Sequence, residues 1–216
     1  MEVSPDKKTL ILVNMEGFLV QINIPAQKLV RSYGQRLKKF NHMVSGGLAI
    51  TPDSKFCFFS TGVGHFFQYS TTDGSLVKRW NQLFTMAGAI VALSNNKHVF
   101  VAGGKWLKQL SLEGPEPEII NTFKTKSCTR IDSMTATDND QYLVLGYSPY
   151  ELKIFAISTE EVIFSHELNI SFFTQLFWSP FYPNQFVYDH KESLKFCRLE
   201  KGMETRESIK IRTSEK

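Results

Sequence analysis

The sequence predicts an all-β fold built from repeated four-stranded sheets, and three observations lead there. A short turn opened by a hydroxyl residue recurs at a near-constant stride. Each recurrence is followed by the same succession of short apolar segments and Gly, Pro or Asp turns. No stretch shows the apolar spacing of a helix of normal length.

The repeat starts at Ser4-Pro5-Asp6, which leads to Leu10-Ile11-Leu12-Val13. It returns at Thr51-Pro52-Asp53 before Phe56-Cys57-Phe58-Phe59, and at Ser94-Asn95-Asn96 before Val99-Phe100-Val101. Thr137-Asp138-Asn139 precedes Tyr142-Leu143-Val144-Leu145, and Ser179-Pro180 precedes, after a short insertion, Gln185-Phe186-Val187-Tyr188. Successive hydroxyl positions lie 47, 43, 43 and 42 residues apart. A period of roughly 40–45 residues is the length of one four-stranded blade of a β-propeller.

Downstream of each turn the register continues. A third-strand segment reads Phe18-Leu19-Val20-Gln21-Ile22, then His65-Phe66-Phe67-Gln68-Tyr69, Trp106-Leu107-Lys108-Gln109-Leu110, Glu151-Leu152-Lys153-Ile154-Phe155 and Ser193-Leu194-Lys195-Phe196-Cys197. Its second and last positions are apolar or Cys in all five units. Apolar residues three apart break strict alternation, which calls for a bulge or for burial on both faces. A second turn follows, supplied by Pro25, Asp73-Gly74, Gly114-Pro115, Thr159-Glu160 and Lys201-Gly202. An outer strand closes each unit: Leu29-Val30-Arg31, Leu76-Val77-Lys78, Glu118-Ile119-Ile120, Glu161-Val162-Ile163 and, more weakly, Thr205 to Ile211. Tyr33 to Val44 lengthens the first connection and is expected to be an extended loop.

With these units laid out, the chain resembles the WD40-repeat proteins. Residues 46–80 carry the resemblance best, with an inner strand, a Pro-Asp turn, two further strands, an Asp-Gly turn and an outer strand. The signature positions are degenerate. The third strands end in Ile22-Asn23, Tyr69-Ser70, Leu110-Ser111, Phe155-Ala156 and Cys197-Arg198 rather than Trp-Asp. The resemblance implies one propeller domain of about five four-stranded blades, part of a partial propeller. Blade 1 covers 1–33 with an incomplete first strand, a loop 34–45, blade 2 46–80, blade 3 86–124, blade 4 130–168, blade 5 172–211, and a tail 212–216. Because an open sheet edge invites pairing, the chain is expected to be a fragment of a longer, for instance seven-bladed, ring or to be completed by another chain. A compact five-bladed ring is the rival expectation.

The 216 residues carry a formal net charge of +4, a mildly basic balance that does not demand nucleic acid. Cys57, Cys128 and Cys197 are odd in number and far apart, so neither a disulfide framework nor a metal-ligand spacing is suggested. The polar opening Met1 to Lys8 and the shortness of the apolar runs lead to an expectation of an intracellular, cytoplasmic protein with no membrane span.

No constellation points to catalysis. His42, His65, His98, His166 and His190 show no metal spacing, and Asp189-His190 has no nucleophile elbow to serve. Gly62-Val63-Gly64 and Gly103-Gly104-Lys105 complete no phosphate-loop motif and are expected to be hairpin turns. The function expected is a non-catalytic scaffold for protein–protein contact, a subunit or platform of a multiprotein assembly, with no cofactor, no metal and no nucleic acid. Candidate interaction residues are Arg31, Arg36, Lys38 and Lys39 in the basic first connection, and Phe181 and Tyr182 in the fifth-unit insertion. The alternative is a propeller that binds phosphate or lipid through the basic 28–39 segment; a propeller enzyme is the third reading.

Overall fold

The structure, a computed structural model, describes residues 1–14, 18–33, 47–85, 88–125, 130–148, 151–167, 176–178, 185–190, 193–201 and 209–214. Among them every regular element is a strand. Twenty strands form five antiparallel sheets, each four strands wide and ordered as the chain runs. The first holds β1 (Glu2–Val3), β2 (Thr9–Val13), β3 (Leu19–Asn23) and β4 (Lys28–Tyr33). The second holds β5 (Leu48–Ile50), β6 (Phe56–Ser60), β7 (Phe66–Ser70) and β8 (Leu76–Trp80). The third holds β9 (Ile90–Ala92), β10 (His98–Gly103), β11 (Trp106–Ser111) and β12 (Glu118–Lys124). The fourth holds β13 (Arg130–Ala136), β14 (Tyr142–Ser148), β15 (Glu151–Ala156) and β16 (Glu161–Glu167). The fifth holds β17 (Leu176–Trp178), β18 (Gln185–His190), β19 (Ser193–Lys201) and β20 (Ile209–Ser214). The last strand thus reaches three residues into the segment expected to be a tail. The reason is its ladder with β19, in which Thr213 faces Cys197 and Ser214 faces Phe196.

The chain divides into two compact units, Met1–Lys124 and Thr125–Lys216. In the first, the sheets stack face to face. Cys57, Phe59, Phe67 and Tyr69 of the second sheet pack with Ile11, Leu19 and Tyr33 of the first. Phe58, Phe66 and Trp80 turn the other way and pack with Val99, Val101 and Leu110 of the third. In the second unit, Val144, Leu152 and Ile154 pack with Leu176, Phe186, Tyr188 and Cys197. Each buried Phe or Leu of this kind contributes about 1.5–3 kcal/mol.

The repeated hydroxyl turn is built from atoms, not only from pattern. The N–H groups of Thr9, Phe56 and Tyr142 donate to Ser4 Oγ, Thr51 Oγ1 and Thr137 Oγ1 at 2.9, 3.0 and 3.1 Å. Those hydroxyls in turn donate to Asp6, Asp53 and Asn139. The residues before the second strand, Lys7, Ser54, Asn96 and Asp140, all take a left-handed φ between 53° and 60°. In the third sheet the position of Thr51 falls on Leu93, because Leu93 N–H donates to His98 O as Thr51 N–H does to Phe56 O. The expected hydroxyl Ser94 lies one residue past it. The turn closes without the hydroxyl because Asn95 Oδ1 accepts from both Lys97 N–H and His98 N–H.

The irregularity expected in the third strands is present at one position in four sheets. The register between third and fourth strands shifts after Gln21, Gln68, Gln109 and Ile154. The extra residue on the outer strand is Val30, Val77, Ile120 or Ile163, so two neighbours there oppose one residue across the ladder. Just before the bulge, Gln21 faces Arg31, Gln68 faces Lys78 and Gln109 faces Asn121. Lys78 is buried, and its Nζ donates to Leu112 O and Glu113 O of the next sheet at 3.2 and 3.0 Å. This position therefore stitches the second sheet to the third.

The connection from the second sheet to the third sits between two glycines. Gly64 has φ +83°, and a Cβ there would lie 1.7 Å from Phe84 O; a Cβ on Gly103 would lie 2.2 Å from Phe84 Cγ. Gly104 has φ +56° but open space around it. Gly64→Ala is expected to cost more than about 3 kcal/mol and Gly104→Ala only about 1, in urea unfolding of the purified chain. Thr51→Val keeps the shape of a fully buried side chain but leaves Phe56 N–H without its acceptor. A loss of about 1–3 kcal/mol is expected in the same measurement.

Candidate interaction surface

Of the six candidate residues, Arg31 falls within the described structure. Arg36, Lys38 and Lys39, like Phe181 and Tyr182, lie outside the described residues. Arg31 is half-buried in β4, at the stitching position that Lys78 occupies one sheet later. Its Nε and the Oε1 of Gln21 opposite are both buried without a hydrogen-bond partner. The ladder places it opposite Gln21, as Lys78 lies opposite Gln68. In sequence it could be found through its register with Lys78, since both follow an apolar pair on an outer strand.

The titratable groups of the interior belong to packing. Burial pushes the Cys57 thiol up to about 11, and Tyr33 Oη lies 3.4 Å from its sulfur. Burial, and then the charge of Arg79, lowers the pKa of His65, whose Nδ1 accepts from Gln82 N–H at 3.4 Å. No group of three His, Cys, Asp or Glu side chains placed to hold a metal occurs among the described residues. No helix there is long and apolar enough to cross a membrane.

What the sheets do present is a repeated apolar pair on their outer strands. Leu29 is 64% exposed and Val30 44%, while Leu76, Val77, Ile119 and Ile120 lie between 39% and 41%, 39% and 43% exposed pair by pair. The bulge explains the pairing. An undistorted strand sends successive side chains to opposite faces, but at the bulge two neighbours share one partner and both reach solvent. The fourth sheet places Val162 and Ile163 at the same step, half-buried. These strands are also the edges of their sheets, with free backbone donors and acceptors on one side. The sequence displays these residues as outer-strand apolar positions; their exposure depends on the bulge, which the sequence only suggests.

No family model matches the chain, and no curated protein matches it in sequence. Solved structures do match its fold. The Cps50 (Swd1) β-propeller domain of Myceliophteria thermophila aligns with TM-score 0.78 at 10% identity, over 97% of this chain and 69% of that one. A chain of the mitotic checkpoint complex aligns with TM-score 0.75 at 12% identity, over 98% of this chain and 62% of its own. A chain of hydrazine synthase from Kuenenia stuttgartiensis aligns with TM-score 0.77 at 13% identity, over 98% and 64%. The chain therefore spans less than two thirds of the length of the last two. Five sheets of four antiparallel strands, matched in this way over nearly the whole chain, give this protein the fold of a β-propeller.

Proposed function

We propose that the protein is a non-catalytic scaffold that holds other proteins in an assembly. The observation that carries this reading is the set of apolar pairs Leu29-Val30, Leu76-Val77 and Ile119-Ile120, held outward at one structural step of three successive sheets. Isolated exposed apolar residues are ordinary, but a repeated set at equivalent positions is a surface suited to contact. The sheets that carry it are packed on buried apolar cores, so little order has to be created on binding. Two of the similar folds support the reading from outside: one is a chain of a mitotic checkpoint complex, and the other is itself described as a propeller domain.

The bulges also bear on how a partner would sit. They interrupt the straight backbone ladder that an added strand would need, which guards the edges against indiscriminate pairing. The side chains, more than the backbone, are then the contact. A triple substitution Leu29→Asp, Leu76→Asp and Ile119→Asp tests this. Each site is exposed, so the variant should melt within a few degrees of the parent, each change costing roughly 0.5 kcal/mol or less. Quantitative co-purification from native cells should recover a reproducible set of proteins with the parent, and lose them about tenfold or more with the variant. An unchanged set would remove the rim from the proposal, and an intrinsic catalytic activity of the purified chain would replace the scaffold reading.

A further inference from the structure

The sheets repeat one another step for step, so a position in one has counterparts in the rest. Two landmarks fix the alignment of the first sheet on the second. Ser4 Oγ accepts from Thr9 N–H as Thr51 Oγ1 does from Phe56 N–H, and the outer ladder shifts after Gln21 as it does after Gln68. Val3, Leu10, Leu12, Val20 and Ile22 then stand where Ile50, Cys57, Phe59, Phe67 and Tyr69 stand one sheet later. The inner ladders agree. Val3 faces Leu10, Leu10 faces Ile22 and Leu12 faces Val20; Ile50 faces Cys57, Cys57 faces Tyr69 and Phe59 faces Phe67. Five aliphatic side chains therefore share one face of the first sheet, with no ionisable side chain among them.

Exposure sets this face apart. The five counterparts in the second sheet are buried. So are Val99, Val101 and Leu110 in the third sheet, Leu143, Leu145 and Phe155 in the fourth, and Phe186, Tyr188 and Cys197 in the fifth. None of these is more than 8% exposed. In the first sheet Val3 is 48% exposed, and Leu10, Leu12, Val20 and Ile22 are half-buried, left partly open to solvent. Within the first unit the cover of such a face is a sheet. Ile11, Leu19 and Tyr33 of the first sheet pack with Cys57, Phe59, Phe67 and Tyr69 of the second. Phe58, Phe66 and Trp80 of the second pack with Val99, Val101 and Leu110 of the third.

We propose that this face of the first sheet docks an antiparallel β-sheet of a partner protein, laid on Leu10, Leu12, Val20 and Ile22 as the first sheet is laid on the second. This rests on the scaffold reading in that the partner is a protein held by contact. Continuity with the next interface selects a sheet as the occupant, because the same ladder steps in the same register take a sheet face there. The same comparison gives the partner's chemistry: aliphatic and aromatic side chains like Ile11, Leu19 and Tyr33 on the side that makes contact. Covering this face removes apolar surface from water and strips no charge of its solvent. A second copy of the chain fits less well. The covering faces of its first and second sheets are already taken by the sheets that follow them, which leaves it the same aliphatic face to offer. The first sheet and its described turns also carry Lys7, Lys8, Lys28 and Arg31 against Glu2 and Asp6, so two copies would bring like charge together.

The test places the photoreactive residue p-benzoylphenylalanine at Val20 of the full chain and, in a second sample, at Leu76 on the rim. Both chains are irradiated in native cells and their adducts mapped by mass spectrometry. From Val20 the adducts should fall on another protein, at apolar residues two apart in a strand of an antiparallel sheet; those from Leu76 should fall elsewhere. The double variant Leu12→Lys, Val20→Lys should lower co-purification of that protein about tenfold or more. It should melt within a few degrees of the parent, because a lysine stem can lie along an open face with its ammonium in water. Adducts within the same chain, with a second copy or in a helical segment overturn the proposal, as do an absence of adducts and an unchanged recovery with the double variant. Unfolding of the double variant overturns it too, since it would put Leu12 and Val20 in the chain's own interior. If the proposal fails while the rim substitution still strips co-purifying proteins, this docking face falls and the scaffold reading stands.

Discussion

Phe58 and Phe59 are neighbours in one strand, face opposite ways, and are both out of water. That is possible only if each face of their sheet is covered by another sheet, since an uncovered phenylalanine face would expose an apolar area that a lone sheet cannot hide. Face-to-face burial of this kind is the constraint on which the first unit depends. It makes the second strand of each sheet apolar on both sides, it places Tyr33 against Cys57 and Tyr69, and it puts buried polar atoms at the seams. Lys78 shows how a seam tolerates a cation: the ammonium is removed from water, which lowers its pKa, and two carbonyls of the next sheet replace the lost solvent.

The same constraint decides what the sequence reveals. A repeat of four strands is legible because its turns need particular residues: a hydroxyl paired with Asp or Asn, and a residue able to take a left-handed φ. Those requirements are local, so they can be read in the sequence even though no third strand ends in Trp-Asp. The one-residue displacement at Ser94 has the converse cause. Asn95 Oδ1 takes both N–H groups of that turn, so Leu93 can stand where the other sheets have a hydroxyl, and the neighbouring Ser94 imitates one in the sequence. The surface was less legible than the fold. Arg31 adjoins the basic first connection in one dimension, and the ladder sets it opposite Gln21, half-buried in β4. Leu76 and Val77 look like ordinary strand residues, and only the register shift at Gln68 turns both toward solvent.

A bulge at one step in four sheets links fold to surface. On the inside it sits beside the polar residue of the seam, Gln21, Gln68 or Gln109, and in the fourth sheet beside Ile154. On the outside it displays two apolar residues in place of one. A regular edge strand would offer a flat ladder to any extended chain; a bulged one offers side chains and a broken ladder. The outward display of paired apolar side chains and the interruption of the edge ladder thus have the same structural source.

The end of the first unit that carries the turns between first and second strands and between third and fourth mixes acids with Lys7, Lys8, Lys28, Lys55 and Lys97, whereas cations prevail among the described residues of the other end. The acids have work in the turns: the Ser75 N–H and neighbouring hydroxyls hold the Asp73 carboxyl down to about 2, and Asp6 and Asp53 each accept from a backbone N–H two residues on. Asparagine performs that task equally well, as Asn95 and Asn139 do, so turn chemistry explains why acids are tolerated there without requiring them. At the other end Lys108 ties down the connection at Leu83. Arg79 and Lys124 lie over the Phe67 and Trp106 rings, contacts worth about 0.5–1 kcal/mol at exposed sites, which any well-placed apolar residue would match.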